Sequence, residues 1–214
     1  MSGDRIEGPG RHSSVLLLSG AILASPRTIA GMLVRALEID DADAFHELRL
    51  RGLEESPDPF LVTLAEDAAL SMEYVRGRFP RGGDAFALGA FDDGGRLVGI
   101  VGFSRETRAK VRHRGDVWGM YVAPEARGMG AGRALMEELV RRCREMEGLE
   151  QVVLEVATGA TAACRLYSAV GFETIGEHRE SMKDGERYLD TRHMVLRLRG
   201  ENLAQRRKGA KEET

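Results

Sequence analysis

A glycine-rich stretch near the middle of the chain combines residue types and spacing that suit the binding of phosphate groups. The stretch consists of Arg127, Gly128, Met129, Gly130, Ala131 and Gly132. Glycines allow the backbone to approach a ligand closely and to direct consecutive N–H groups at it. A helix that begins here would add partial positive charge at its N-terminus, and the arginine would add a planar fork of donors. The stretch therefore predicts a pyrophosphate site.

Other interpretations of the same glycines are open or fit less well. A tight turn with only a packing role is open. A dinucleotide-binding loop has the spacing Gly-x-Gly-x-x-Gly, whereas this chain has Gly-x-Gly-x-Gly and no acidic residue at a strand end about 20 residues further on. A lysine-bearing P-loop is excluded, because no Gly-Lys-Ser/Thr follows the glycines.

The segments on either side of the stretch are a predicted strand and a predicted helix. The strand covers residues 116–122, and strict alternation along it would put Trp118 on one face with Met120 and Val122. Packing in the core is favoured for this tryptophan over a place in the wall of a substrate site. The helix covers residues 131–146, and its apolar side is formed by Leu135, Leu139, Cys143 and Met146. A strand, a glycine loop and a helix thus follow one another directly.

The remaining segments alternate between patterns typical of strands and of helices. Strands are predicted over residues 33–37, 85–91, 96–104, 151–156, 172–182 and 187–199, and helices from residue 40, over 63–79 and over 161–170. Thr63 and Glu66 form a capping-box pattern at the start of the second helix. The order β-α-α-β-β-β-α-β-α-β-β predicts one α/β domain with a mixed central sheet flanked by helices.

Two motifs in this chain are in register with each other. The first is a strand that leads into Val-x-Pro-x-x-Arg-x-x-Gly-x-Gly, formed by Val122, Pro124, Arg127, Gly130 and Gly132. The second is formed by Leu154, Val156, Ala163, Leu166, Tyr167, Gly171 and Phe172. Together they resemble the signatures of the GNAT superfamily of acyl-CoA N-acyltransferases. The resemblance covers about residues 33–199 and implies the GNAT fold.

The resemblance also implies a cofactor and roles for particular residues. Acetyl-CoA would be the acyl donor, with its pyrophosphate on residues 127–132, and no metal would take part. The backbone of Met120, Tyr121 and Val122 would pair with the pantetheine arm and offer an N–H to the thioester oxygen. Tyr167 would lie near the sulfur as the general acid.

One position departs from the family's pattern. Ala160 stands where the family has an asparagine, so one side-chain amide contact to the cofactor is missing. Thr158 or Thr161 could supply a hydroxyl in its place. The pyrophosphate site does not depend on this position.

Attack by an amine on a thioester requires a base, because an amine at pH 7 is mostly ammonium. Glu155 is the first candidate, since it lies on the strand beside the expected thioester and twelve residues before Tyr167. A glutamate with that separation is the base in the branch of the family that acetylates protein N-terminal amines. Asp116 is the second candidate, and a water chain is the third. No histidine is assigned a catalytic role.

These observations predict an N-acetyltransferase that moves an acetyl group from acetyl-CoA to a primary amine by direct attack. The amine could belong to a small molecule or to a protein or peptide. In this fold the acceptor groove is framed by residues equivalent to 54–60, 74–81 and 180–190, which carry both signs of charge. A non-catalytic acyl-CoA-binding sensor or interaction module is the alternative, which Ala160 favours and the retained Tyr167 and Glu155 disfavour.

Composition narrows the class of protein. The 214 residues carry a formal net charge of −3, which gives no electrostatic reason to expect a nucleic-acid partner. Cys143 and Cys164 are too few and too poorly spaced for a disulfide framework or a metal site. A reducing, cytoplasmic setting without a membrane fits this composition, with the chain as a monomer or homodimer.

The two ends of the chain are expected to lie outside the folded domain. Residues 1–31 are interpreted as a poorly ordered extension, residues 32–199 as the catalytic domain, and residues 200–214 as a charged disordered tail. An apolar run at 15–24 resembles a short signal-peptide core, but a nonessential extension is favoured over a signal. The run is too short to span a bilayer, which takes about 20 residues. Met32 is an alternative start of translation.

Overall fold

A computed structural model describes residues 27–29, 31–77, 79 and 84–198 of the chain. The described residues form β1 (Arg27–Ile29), β2 (Met32–Ala36), α1 (Ala42–Glu55), α2 (Leu64–Ala68), α3 (Met72–Gly77), β3 (Ala85–Phe91), β4 (Leu97–Arg105), β5 (Arg114–Val122), α4 (Ala131–Glu145), β6 (Gln151–Ala157), α5 (Thr161–Val170), β7 (Glu173–Asp184) and β8 (Arg187–Arg197). The predicted α/β fold with one mixed sheet is confirmed.

The described strands form one sheet in the order β1-β2-β3-β4-β5-β6-β8-β7. Neighbouring strands are antiparallel except β5 and β6, which are parallel. Helices α1 and α4 pack on opposite faces, since Gly52 of α1 lies against Tyr121 and Gly132 of α4 lies near Met120 and Val122. Within the described part of the chain, no helix combines the length and the apolar character that a membrane crossing requires.

Helix α4 buries the apolar side that its sequence predicts. Leu135, Leu139 and Cys143 are each fully buried, in a helix that begins at Ala131 and ends one residue before the predicted end. Glu138 is buried as well, and Arg141 and Arg142 both donate to its carboxylate. A buried carboxylate needs such partners, because an unpaired one would be strongly destabilising.

The helix predicted over residues 63–79 is two short helices, α2 and α3. The predicted capping box at Thr63 is present and starts the first of them. The Ser71 hydroxyl accepts a hydrogen bond from the backbone N–H of Tyr74 at 3.2 Å, so a second helix starts there with its own N-terminal cap. The apolar stripe is kept across the break, since Val75 and Phe79 are both buried.

A short strand lies before the predicted start of the domain. β1 pairs with β2 through a turn in which Gly31 has a positive φ of 81°. The predicted boundary between residues 31 and 32 therefore falls inside a β-hairpin, and Met32 is a buried strand residue. Residues 1–26, with the apolar run at 15–24, and the tail at 200–214 lie outside the described residues.

This hairpin leads to a prediction about the shortest stable chain. A variant that begins at Arg27 keeps β1, whereas a variant that begins at Met32 loses its pairing with β2. Losing about one net hydrogen bond costs roughly 1 kcal/mol, which lowers the melting temperature by about 2–4 °C in a domain of this size. Calorimetry of the two variants measures the difference, and identical melting temperatures would show that β1 contributes nothing.

Candidate active site

The sheet opens between β5 and β6. These strands pair with each other only at residues 114–116 and 151–153. Both strands continue beyond that point, and a cleft of about 420 Å³ lies between and beside them. Backbone groups on the two facing edges are left without a strand partner, so an elongated ligand that carries amides could pair with them.

The cleft brings together the three candidate residues for proton transfer. Glu155 of β6, Asp116 of β5 and Tyr167 of α5 all line it, as does Met120. The splayed strands make this possible, because the gap between them gives residues on both faces of the sheet access to one space.

A β-bulge shapes the cleft edge of β5. One residue of β4, Val101, faces two residues of β5, Gly119 and Met120. Gly119 has a positive φ of 64°, a conformation that glycine adopts without steric cost. The extra residue reverses the alternation of side chains along the strand.

The bulge corrects the predicted orientation of Trp118. Its ring packs edge-on to Phe45 of α1 with centroids 6.5 Å apart, whereas Met120 and Val122 lie near Gly132 of α4. Trp118 therefore lies on the opposite face of the sheet from Met120 and Val122. The expected core packing is present, but the same side chain also lines the cleft.

The outer end of β5 offers backbone groups to the cleft. The N–H of Ala123 donates to the carbonyl of Val98 on β4, so the N–H and C=O of Val122 point to the opposite edge, towards β6. Arg127 occupies part of this edge, because its Nε donates to the Val122 carbonyl at 3.0 Å. The predicted phosphate contact of Arg127 would therefore require its side chain to turn away from the strand.

The glycine loop has the backbone conformation that its sequence predicts. Gly128 and Gly130 have positive φ values of 75° and 90°, and open space surrounds the position of a Cβ on either residue. α4 begins at Ala131, directly after them. The first N–H groups of a helix have no partner within it, so they and the helix dipole are available to an anion. Met129, between the two glycines, is exposed.

Tyr167 is a buried residue of α5 that reaches the cleft. Its side chain is 6% exposed, and its ring lies 6.0 Å from that of Phe172. Burial, with a smaller effect of Cys164, raises the pKa of its hydroxyl, which stays protonated at neutral pH. A protonated hydroxyl in a cleft can donate to a developing anion.

Glu155 is held in place by a neighbouring strand. The hydroxyl of Thr191 on β8 donates to its Oε1, and His193, which faces it in the register of β6 and β8, has Nε2 3.8 Å from the same oxygen. The ring of His178 on β7 is stacked against that of His193, with centroids 6.4 Å apart. Sequence reasoning assigned no role to either histidine, because this proximity depends on strand register.

Ligand atoms of Glu155, His178 and His193 lie within 4.8 Å of one another. Two ligands of a tetrahedral zinc ion are separated by about 3.3 Å, given metal–ligand distances near 2.0–2.1 Å. The three side chains are thus near the spacing of a metal site, although such groups are also common without an ion. The expectation that no metal takes part stays a prediction.

Asp116 lies where the pairing of β5 and β6 ends. Partial desolvation raises the pKa of its carboxyl, and the nearby carboxylate of Glu106 adds to the effect against the opposing influence of Arg114. A raised pKa brings a carboxylate closer to the range in which a general base is effective. Asp116 and Glu155 both line the cleft, and the choice between them as the base stays open.

The position of the missing asparagine lies at the start of α5. Ala160 is the residue before the helix and makes no side-chain cap. The hydroxyl of Thr158 donates weakly to the carbonyl of Asp190 at 3.3 Å, whereas Thr161 is exposed in the first turn. Neither threonine is among the residues that line the cleft, and the replacement of the amide by either hydroxyl stays a prediction.

Two of the three segments expected to frame the acceptor groove contribute to the cleft. The loop after α1 contributes residues 59–62, and the β7–β8 hairpin contributes Met182. Arg187 in that hairpin donates to Asp58 in the loop, which joins the two across the cleft. The described residues of the segment 74–81 do not line the cleft.

Comparison with known proteins gives one family. The model described as the acetyltransferase (GNAT) family matches residues 42–172. The chain is 30% identical over 159 residues to a mycothiol acetyltransferase of Salinispora arenicola, which covers 74% of this chain and 50% of the relative. It is 41% identical over 86 residues to the N-alpha-acetyltransferase RimI of Mycobacterium tuberculosis, which covers 40% of this chain and 51% of the relative. The chain therefore spans about half the length of these curated relatives.

Solved structures agree on the fold. A phosphinothricin acetyltransferase of Sinorhizobium meliloti, described as a GNAT superfamily member in complex with acetyl-CoA, superimposes with a TM-score of 0.68 at 25% identity. The match covers 81% of this chain and 91% of that structure. With the family match over more than half of its residues, this chain belongs to the acetyltransferase (GNAT) family.

Proposed function

We propose that this chain is an N-acetyltransferase that moves an acetyl group from acetyl-CoA to a primary amine by direct attack. The observation that carries the proposal is the cleft between the splayed strands β5 and β6, which Tyr167, Glu155 and Asp116 line together. The match to the phosphinothricin acetyltransferase structure, which covers 81% of this chain and 91% of that one, supports acetyl-CoA as the donor. The amine belongs to a small molecule or to a protein or peptide.

The donor is bound by backbone groups in two places. The pyrophosphate lies on the loop from Arg127 to Gly132, where two glycines with positive φ and the first turn of α4 present N–H groups. The pantetheine arm pairs with the cleft edge of β5 at residues 120–122, where the strand has no neighbour in β6. Arg127 releases the Val122 carbonyl when the arm binds.

Transfer requires a base, a donor to the oxyanion and a donor to the leaving group. Glu155 removes a proton from the ammonium, directly or through one water, and the free amine attacks the thioester carbonyl. An N–H of the β5 edge at Met120 to Val122 donates to the oxyanion. The carbon–sulfur bond then breaks, the adduct nitrogen loses its extra proton to solvent as the amide forms, and Tyr167 donates a hydrogen bond to the departing thiolate. Because burial raises the pKa of Tyr167 well above that of a thiol, near 8.5, the tyrosine acts mainly by donating a hydrogen bond.

A non-catalytic acyl-CoA-binding module is the second candidate, and Ala160 is the observation that favours it. The buried, protonated Tyr167 in the same cleft as two carboxylates disfavours it, because a binding module does not need that arrangement. Acetyl transfer to a panel of amines separates the two. We place the enzyme in the cytoplasm, as a monomer or homodimer, where acetyl-CoA and reduced thiols such as Cys143 are found.

The donor loop gives the first prediction for this function. Gly130→Val puts a branched side chain where φ is 90° and the surrounding space is open, so it should weaken acetyl-CoA binding at least tenfold. Gly148→Val is the matched control, since Gly148 has a φ of 72° and lies beyond the other end of α4. Both variants should lose a similar amount of thermal stability. Calorimetric titration with acetyl-CoA distinguishes them, and equal affinities would refute the loop assignment.

Tyr167 gives the second prediction for this function. Tyr167→Phe keeps the ring packing against Phe172 and removes the hydroxyl, so kcat should fall by about 100-fold while the Kd for acetyl-CoA changes little. Tyr74→Phe, at an exposed position outside the cleft, is the control for loss of a tyrosine hydroxyl. Steady-state kinetics at saturating acetyl-CoA measures the effect. A Tyr167→Phe variant with the full rate would leave this residue a packing role only.

The choice of base gives the third. Glu155→Gln removes basicity but keeps the shape, so kcat should fall most at low pH, where little free amine exists, and recover in part as the pH rises. Asp116→Asn is the matched comparison. The pKa of Asp116 is raised, so if Asp116 is the base, the wild-type rate should fall as the pH drops through this raised pKa and the carboxylate becomes protonated.

Profiles of rate against pH for the two variants decide between the carboxylates. If the profile of Glu155→Gln matches that of the wild-type enzyme and the profile of Asp116→Asn does not, Asp116 is the base. If both profiles match that of the wild-type enzyme, a water chain remains as the route for the proton.

A further inference from the structure

A buried arginine of α1 faces the acceptor side of the cleft. Arg49 is 7% exposed and lines the cleft, and its Nε donates to the carboxylate of Asp67 at 2.7 Å. Asp67 is buried in α2 at 3% exposure, behind the guanidinium. The pair is thus held in place inside the protein, unlike the exposed ion pairs of the surface.

Most of the hydrogen-bonding capacity of Arg49 is unused within the described part of the chain. A guanidinium has five N–H donors, and the bond to Asp67 uses the one on Nε. Nη1 points at the bulge, because a Cβ on Gly119 would lie only 3.2 Å from it. Glycine at that position therefore leaves the donors of Nη1 accessible from the cleft. A ligand in the cleft that carries an acceptor could therefore bind them.

The other side chains of the cleft define a pattern of charge. Arg49 is the single cation among the described residues that line it, and Asp116 and Glu155 are the anions. Much of the remaining acceptor side is apolar, with Phe60, Leu61, Val62 and Met182. A ligand that matches this pattern has an ammonium group, an anionic group and an apolar portion.

We propose that the acceptor is a free α-amino acid with an apolar side chain, whose carboxylate binds Arg49. This inference rests on the proposed acetyl transfer. Gly119 directly precedes Met120, at the edge that is proposed to bind the thioester, so the guanidinium lies beside the place where the amine attacks. A carboxylate on the carbon that bears the amine is close enough to reach it, and a planar guanidinium suits a carboxylate.

Asp67 positions the guanidinium for this contact. An arginine already fixed by one carboxylate loses less conformational freedom when it binds a second, and its outer nitrogens stay directed at the cleft. The same contact selects against a peptide N-terminus, in which an amide replaces the carboxylate and brings no charge to Arg49.

Matched pairs of ligands test the proposal directly. L-Leucine, L-methionine and L-phenylalanine are each compared with their own primary amide, by calorimetric binding to the enzyme loaded with CoA and by kcat/KM for acetylation. We expect each carboxylate to be preferred over its amide by about 10- to 100-fold, the size of a charge-assisted hydrogen-bond contribution. The amine of the amide is the more readily deprotonated, so a preference for the carboxylate would run against intrinsic reactivity.

Variants show whether Arg49 is the origin of the preference. Arg49→Gln with Asp67→Asn removes both charges together, since removing the arginine alone would leave a buried carboxylate unpaired. The double variant should lose the preference and keep its affinity for acetyl-CoA. Arg76→Gln with Asp43→Asn removes an exposed arginine–aspartate pair outside the cleft and should keep the preference.

The possible results of these experiments test different parts of the proposal. Equal binding of carboxylates and amides to the wild-type enzyme overturns the amino-acid assignment, even if both are acetylated and the transferase function stands. Preferential binding of carboxylates without any acetyl transfer supports the subsite and refutes the proposed function. A preference that survives in a folded double variant overturns the role of Arg49, and an unfolded double variant leaves the decision to the wild-type ligand pairs.

Discussion

The loss of pairing between β5 and β6 is the constraint on which the rest of the site depends. Parallel strands that twist apart after three residue pairs leave two rows of backbone N–H and C=O groups that must find other partners. In this chain the cleft follows from that separation, and one of the free groups, the Val122 carbonyl, is already occupied by Arg127. The same gap gives Tyr167 from one face and Glu155 from the other a common space.

The bulge at Gly119 sets which side chains face which part of this space. Without the extra residue, Trp118 would share a face with Met120 and Val122 and would lie towards α4. With it, Trp118 packs towards α1, while Met120 and Val122 stay beside α4, the helix that follows the glycine loop. A single glycine in the strand thus separates the side chains that face α1 from those that face α4, which correspond to the proposed acceptor and donor sides.

Local sequence patterns predicted most of the helices and strands, but they could not predict contacts between residues that are far apart in the sequence. The end of α5 at Gly171 and the start of α4 after Gly130 could be predicted, because positive φ and helix ends depend on a few neighbouring residues. The proximity of His193 to Glu155 could not, since it depends on the register of β6 against β8. The three-residue strand β1 gave too short a pattern to detect, and the break between α2 and α3 was marked only by Ser71.

Helix α1 connects the two halves of the proposed site. Its inner face carries Arg49 to the proposed acceptor side, and its outer face is joined to the turn before the glycine loop by the ion pair of Arg51 with Glu125. This ion pair lowers the pKa of Glu125 to about 2. Near the end of the helix, Glu55 accepts from the hydroxyl of Tyr121 at 2.7 Å and lies 3.9 Å from Arg127.

The contacts of Arg127 join the edge of β5 to α1. Arg127 donates to the Val122 carbonyl, which the proposed pantetheine contact would require it to release, and Glu55 on α1 is the carboxylate that lies beside it. Burial and the bond to Glu55 raise the pKa of Tyr121 to about 12, so Tyr121 remains a donor to Glu55 across the neutral range. Exposed ion pairs contribute little energy individually. Their effect here is geometric, because they fix the position of the helix that carries Arg49 relative to the end of β5.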